Sequence, residues 1–203
     1  MQENEELTQI VNECPLINAD GQSIVWGSKF LGNKLPERVA GIDIFTELVR
    51  ISSEKGYKPY FFGAKEEVVE EVVRRFKEKY PNLEVAGYRN GYFSQEESKK
   101  IAEDIQKSGA DILFVAFSSP MKEFWIREHM DIMKVPFTMG VGGSFDVVAG
   151  KTTRAPKWMQ KLGLEWFHRF IQEPRRMFKR YIVGNWKFIR LIISQKCMGN
   201  TSK

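Results

Sequence analysis

Gly140-Val141-Gly142-Gly143 closes a short apolar run, residues 135–139, and leads through Ser144 and Phe145 to Asp146. Glycines so placed let backbone N–H groups approach a ligand closely, and a helix starting just beyond them favours an anion such as a diphosphate. The same residues also make a plain tight turn after a strand, and this pattern alone does not choose between the two. Asp20-Gly21 follows Leu16-Ile17-Asn18-Ala19, which reads as a short strand. The Asp20 carboxylate would then stand at a strand's C-terminal end, where open α/β sheets place ligand chemistry. Taken by itself, Asp20 fits an Asx turn or a helix N-cap better. In residues 88–93 an Asn90-Gly91 turn sits among aromatics. Tyr92 there suits either a stacking platform for a base or a loop packed over the core.

The surrounding elements must position these groups. Helical spacing is predicted over 6–13, 22–31, 42–55 and 121–130. A further helix opens at 64–67 with Glu66 and Glu67 in its first turn and carries the stripe Val68, Val69, Val72, Val73 and Phe76. Ser94 is read as the cap of a charged helix running to 108, with Glu96 and Glu97 in its first turn. Strands are predicted over 16–19, 59–63, 83–87, 111–117 and 135–139. The run 111–117 is apolar on both faces, as a central parallel strand should be. Alternating strands and helices predict an α/β protein, a Rossmann-like three-layer sandwich around a mostly parallel sheet. The turns at Asp20-Gly21, Gly63-Ala64, Asn90-Gly91, Ser118-Ser119-Pro120 and Gly142-Gly143 should gather on one sheet edge.

Composition bounds the rest. The 203 residues suit one domain with an appendage, and 42% hydrophobic with 28% charged residues describe a globular chain. Cys14 and Cys197 match no metal or redox spacing and are expected to be reduced, in a cytoplasmic protein. The polar, acidic opening is unlike a signal peptide. No apolar run approaches the roughly 20 residues that span a bilayer. The net charge of +5 hides an asymmetry, because residues 151–203 hold 13 Lys/Arg against 2 Asp/Glu. That leaves 18 of the 31 basic and 24 of the 26 acidic residues in the first 150. A basic segment on an acidic body points to a polyanionic surface, or serves only solubility.

The division expected is an α/β domain over 1–156 and a basic, aromatic-rich helical appendage over 157–203. Cations interleaved with Trp158, Trp166, Phe167, Phe170 and Phe178 suit a helix in a membrane interface. They equally suit helices packed on the domain or on another subunit. Nucleic acid ranks below both, since no DNA- or RNA-binding motif accompanies the charge. A nucleotide-dependent dehydrogenase is disfavoured because no Gly-x-Gly-x-x-Gly follows a strand.

Eight stretches in register carry a resemblance. Ala19-Asp20-Gly21-Gln22-Ser23, Pro36-Glu37-Arg38-Val39-Ala40-Gly41-Ile42-Asp43, Gly91-Tyr92-Phe93 and Ser119-Pro120-x-Lys122-Glu123 come first. Gly140-Val141-Gly142-Gly143-x-Phe145-Asp146, Arg154-Ala155-Pro156-x-Trp158, Leu164-Glu165-Trp166-x-x-Arg169 and Glu173-Pro174-Arg175-Arg176 follow. From about Asn18 to Tyr181 the chain resembles the WecG/TagA/CpsF family of bacterial glycosyltransferases.

The resemblance implies metal-independent, inverting transfer of a hexose, of the N-acetylmannosamine type or related, from a UDP-sugar to a polyprenyl-diphosphate-linked GlcNAc. The products would feed teichoic acid, capsule or exopolysaccharide synthesis, with no cofactor. By the same resemblance Asp20 is the general base and Arg38 meets a diphosphate by bidentate hydrogen bonds. Gly142, Gly143 and Arg38 would meet the charge on departing UDP. Gly21, Tyr92, Lys122, Glu123, Asp146 and Arg154 are further substrate-binding candidates, with Tyr92 and Asp146 assigned to base and ribose. Arg169, Arg175, Arg176 and Arg180 match the appendage that closes over the site and holds the enzyme peripherally on the membrane's inner face. Apolar tail residues such as Ile189 and Ile192 suit a homo-oligomer.

Two departures shape the expectation. The family has a strand carrying Thr-Pro-Asn upstream, so this chain is expected to lack the family's N-terminal segment. The rival function is therefore a non-catalytic UDP-sugar-binding remnant or scaffold. Lys122 also replaces the glutamine of the family's Gly-Ser-Pro-x-Gln-Glu pattern, with consequences for donor or diphosphate contacts.

Overall fold

The computed structural model describes residues 4–178 and 184–200. In chain order, α1 (Glu5–Asn12), α2 (Gln22–Leu31) and α3 (Gly41–Lys55) precede β1 (Pro59–Gly63) and α4 (Glu66–Lys79). β2 (Gly87–Arg89), α5 (Gln95–Lys107), β3 (Ile112–Ala116), α6 (Met121–Met133) and β4 (Phe137–Gly140) continue the alternation. Then come α7 (Ser144–Val148), α8 (Lys157–Lys161), α9 (Glu165–Gln172), α10 (Pro174–Phe178) and α11 (Gly184–Asn200). Two compact units result: one of Met1–Ile17 with Gly41–Lys151, the other of Asn18–Ala40 with Thr152–Lys203.

The first unit holds the sheet, in the order β2-β1-β3-β4 with every pair parallel. β1 is buried along its whole length, which is why Pro-Tyr-Phe-Phe-Gly carries no polar alternation. Its side chains alternate between two cores. Phe61, with Phe114 of β3, packs against Phe45 and Val49 of α3, the Val68–Phe76 stripe of α4 and Phe145 of α7. Phe62, with Leu113 and Val115, packs against Ile101, Ala102 and Ile105 of α5 and Trp125 and Met133 of α6. Helices thus cover both faces, and the expected three-layer α/β sandwich is present. Phe45 and Phe114 meet edge to face with centroids 4.7 Å apart. Each such buried ring contributes roughly 2–3 kcal/mol from area alone.

Local signals place the helix ends. Ser94 and Glu97 form the reciprocal capping box of α5. The second core also holds a closed polar network, which the sequence reading did not anticipate. Trp125 Nε1 donates to Ser98 Oγ at 2.7 Å, and Ser98 Oγ lies 3.1 Å from His129 Nε2. His129 Nδ1 lies 3.0 Å from the Trp125 carbonyl, which fixes the proton on Nδ1 and makes Nε2 the acceptor of the Ser98 hydroxyl.

Two expected strands differ. Residues 16–19 form none: Leu16 and Ile17 are 77% and 66% exposed. Ala19 accepts one backbone bond, from Val39 at 3.0 Å, and the Asn18 side chain donates to the Val39 carbonyl. A single rung is not a ladder. Asp20 accordingly follows a loop, not a strand. The strand expected at 83–87 begins instead at Gly87, because pairing with β1 starts where the Ala86 N–H donates to the Pro59 carbonyl. Leu83 is left as a core residue.

The second unit contains α2 and the helices from α8 onward. α2 ends as predicted, at Gly32 in the left-handed region. Gly27 sits under α11, and a β-carbon there would lie 3.0 Å from both Phe188 and Ile192. Among the described residues no helix is long and apolar enough to cross a membrane.

Candidate functional site

In the first unit, the strand pairing aligns Gly63, Arg89, Ala116 and Gly140 at one edge of the sheet. Three turns there hold one another by backbone bonds. The Ala64 N–H donates to the Ala116 carbonyl at 3.3 Å, and the Gly91 N–H to the Ala64 carbonyl at 2.8 Å. The Val141 N–H reaches the Val115 carbonyl at 2.9 Å. Gly91 passes so close that a β-carbon would stand 2.9 Å from the Phe117 ring and 3.0 Å from Gly63 Cα. Asn90 accepts from the Tyr92 N–H at 2.9 Å and donates to Glu66, so the turn is fixed while the Tyr92 ring stays 69% exposed.

The β3–α6 turn carries charge to this edge. Glu123 Oε1 accepts from Ser119 Oγ at 3.1 Å and from Lys122 Nζ, whereas Glu123 Oε2 is buried with no hydrogen-bond partner among the described residues. The Lys122 stem lies over Gly140, where a β-carbon would come within 2.7 Å of its Cε. Gly142 takes φ +50°, and Gly143 leads into α7, whose Phe145 is fully buried. Asp146 is half-buried, and its carbonyl accepts from the Lys151 N–H at 2.9 Å. Beside β2, Arg89 pairs with Glu97, while its Nε is buried without a hydrogen-bond partner among the described residues. The Ser94 N–H, then the Ser94 hydroxyl and Arg89, hold the Glu97 carboxyl below its ordinary range. So Tyr92, Lys122, Glu123, Gly142, Gly143 and Asp146 all lie in loops or helix starts that follow β2, β3 or β4.

The second unit carries the remaining candidates. Asp20 is exposed, and Gly21 rather than Asp20 occupies the N-cap of α2, with no side chain capping it. Arg38 donates to Glu165 at 2.6 Å, and Arg154 Nε lies 3.3 Å from the other oxygen of the same carboxylate. One turn along α9, Arg169 Nε is buried without a hydrogen-bond partner among the described residues. Gln172 pins the segment before Arg154, accepting from the Thr153 N–H at 2.8 Å and donating to its carbonyl at 2.9 Å. Arg175 is exposed on α10; Arg180 and the side chain of Arg176 lie outside the described residues. The sequence patterns assign Glu165 no role. The readable signal was its isolation, as one of two carboxylates among thirteen cations from residue 151 onward. Among the described residues no three His, Cys, Asp or Glu side chains are gathered to hold a metal ion.

The residues of both units fall within one family pattern, which matches positions 1–202. The chain belongs to the glycosyl transferase WecG/TagA/CpsF family. This family member is 36% identical over 167 residues to a Bacillus subtilis N-acetylglucosaminyldiphosphoundecaprenol N-acetyl-beta-D-mannosaminyltransferase. That alignment covers 82% of this chain and 64% of the relative. A Bacillus spizizenii protein of the same name is 34% identical over 174 residues, covering 86% of this chain and 67% of the relative. The chain thus spans about two thirds of the length of these WecG/TagA/CpsF relatives.

Proposed function

We propose that this chain is a metal-independent, inverting glycosyltransferase. It moves a hexose, of the N-acetylmannosamine type, from a UDP-sugar to a polyprenyl-diphosphate-linked GlcNAc. The observation that carries the reading is the family match together with relatives whose names specify a lipid-diphosphate acceptor and a mannosaminyl group. The chemistry of the named side chains supports it. Asp20 presents an exposed carboxylate that no helix start consumes, which suits a base for the acceptor hydroxyl. As that proton passes to Asp20, the acceptor oxygen bonds to the anomeric carbon from the face opposite UDP. The anomeric C–O bond breaks, and UDP departs with the electron pair. Arg38, Arg154 and Arg169 are cations suited to the diphosphate charge. We assign the nucleotide to the sheet edge at Gly142 and Gly143, with Tyr92 against the base and Asp146 on the ribose.

The acceptor is lipid-borne, so we place the enzyme peripherally on the inner face of the membrane. Exposed Trp158, Leu162, Trp166, Phe167 and Ile171, among Lys and Arg of the same segment, support that placement. The test is UDP release from a panel of UDP-sugars, with and without a short-chain polyprenyl-diphosphate-GlcNAc. Acceptor-dependent release with one donor is the expected result. Folded protein that binds UDP but turns over no donor would instead mark a binding-only protein.

A further inference from the structure

We propose that Glu165 is a positioning residue that holds Arg38 and Arg154 as a preformed fork for a diphosphate. The inference rests on the reading of the chain as a UDP-sugar transferase. Glu165 lies on α9, Arg38 precedes α3 by a few residues, and Arg154 stands in the loop before α8, so three separated segments meet on one carboxylate. The pair with Arg38 is short, 2.6 Å, and neither side chain is freely solvated: Arg38 is 16% exposed and Glu165 24%. Two long side chains on an open surface gain little from pairing because immobilising them costs entropy. Here the enclosure is different, and the carboxylate takes one donor from each guanidinium. A guanidinium carries five N–H donors in a rigid plane, so fixing one of them orients the rest.

Charge and order then work in opposite directions. Arg38 and Arg154 both bond to the Glu165 carboxylate, and Arg169 stands one turn along α9 from it. By Coulomb's law alone, deleting Glu165 adds positive charge and tightens an incoming anion. If Glu165 instead organises the arginines, deleting it releases them to solvent and weakens the anion, because their ordering must then accompany binding. The sign of the effect separates the two.

The experiment is calorimetric titration of UDP, and separately of inorganic diphosphate, into the full chain. The proteins are wild type, Glu165→Ala, Arg38→Ala and the double variant, each first shown by thermal unfolding to be folded. Should Glu165→Ala not fold, Glu165→Gln takes its place, since it keeps the side-chain volume and one acceptor oxygen. Glu165→Ala is expected to weaken both ligands on the order of tenfold despite removing a negative charge. In the Arg38→Ala background the same substitution should change affinity by a smaller factor than in the wild type, because only its effect through Arg154 remains. Unchanged or tighter binding by Glu165→Ala overturns the proposal and leaves the transferase reading intact. A wild-type chain that binds neither UDP nor diphosphate overturns both.

Discussion

A β-carbon at Gly63 would lie 2.7 Å from the carbonyl oxygen of Ala116, its partner across β1 and β3. Gly63 also has φ +128°, outside the regions open to other residues. The end of β1 therefore turns against β3 with no room for a side chain, and that closeness brings the edge loops together. Gly63→Ala is expected to destabilise the chain by at least about 2 kcal/mol, from strain and overlap combined. Gly142 provides the contrast. It has φ +50° but nothing within 4 Å of an added β-carbon, so Gly142→Ala should cost only about 1–2 kcal/mol. Urea unfolding of the two variants checks the order, and equal losses would contradict it.

The Ser98–Trp125–His129 network makes a second prediction. Ser98 is 2% exposed, and its hydroxyl serves both an indole donor and an imidazole acceptor. Ser98→Ala removes both partners at once while changing volume little. Buried groups left unpaired cost about 1–3 kcal/mol each in such settings. Expected is a lower urea midpoint with an unchanged slope. Retention of wild-type stability would show that the indole and imidazole find other partners.

The core of the first unit was legible because burial on both faces leaves a simple trace: residues 59–63 and 111–117 are nearly free of polar side chains. Residues 16–19 looked similar in miniature. Apolar character shows that a segment can pair, not that a neighbouring strand exists, and only one backbone rung forms there. The Ser94–Glu97 box was readable since both partners lie within one helical turn. The Arg38–Glu165 pair was not, because 127 residues separate two charges whose meeting depends on tertiary folding. Sequence placed Tyr92, Lys122, Glu123, Gly142 and Asp146 in loops and helix starts after strands. It did not foresee that Asp20 follows a loop.

Acid titration tests the surface electrostatics of α4. Glu71 accepts from Arg74 Nε at 2.7 Å and from Arg75 Nε at 2.6 Å, and these two bonds pull its carboxyl down from 4.5 to about 2. A carboxyl lowered in the folded state contributes stability above its unfolded value. That contribution is lost as pH falls from about 4.5 toward about 2. The group faces solvent, so the stabilisation is small and site-specific detection is needed. Carboxyl carbon shifts followed by NMR should show Glu71 titrating well below the other glutamates, and an ordinary Glu71 midpoint would defeat the prediction. Arg74→Ala should raise it.

Asp20 separates catalysis from folding. Gly21 is the N-cap of α2, and the Asp20 side chain is exposed, so removing its charge leaves the helix start unchanged. Substitutions at such positions ordinarily move stability by no more than about 0.5 kcal/mol. Asp20→Asn keeps the size of the side chain but cannot take a proton at neutral pH. On the proposed mechanism the acceptor hydroxyl then loses its base, and kcat should fall roughly 10²–10⁴-fold. UDP affinity should stay within about twofold, because the base acts on the acceptor and not on the nucleotide. Parallel measurement of acceptor-dependent UDP release, UDP binding and thermal unfolding decides the matter. Full activity in Asp20→Asn removes Asp20 from the chemistry. Loss of activity together with a large fall in melting temperature would instead make it a structural residue, contrary to the exposed loop in which it stands.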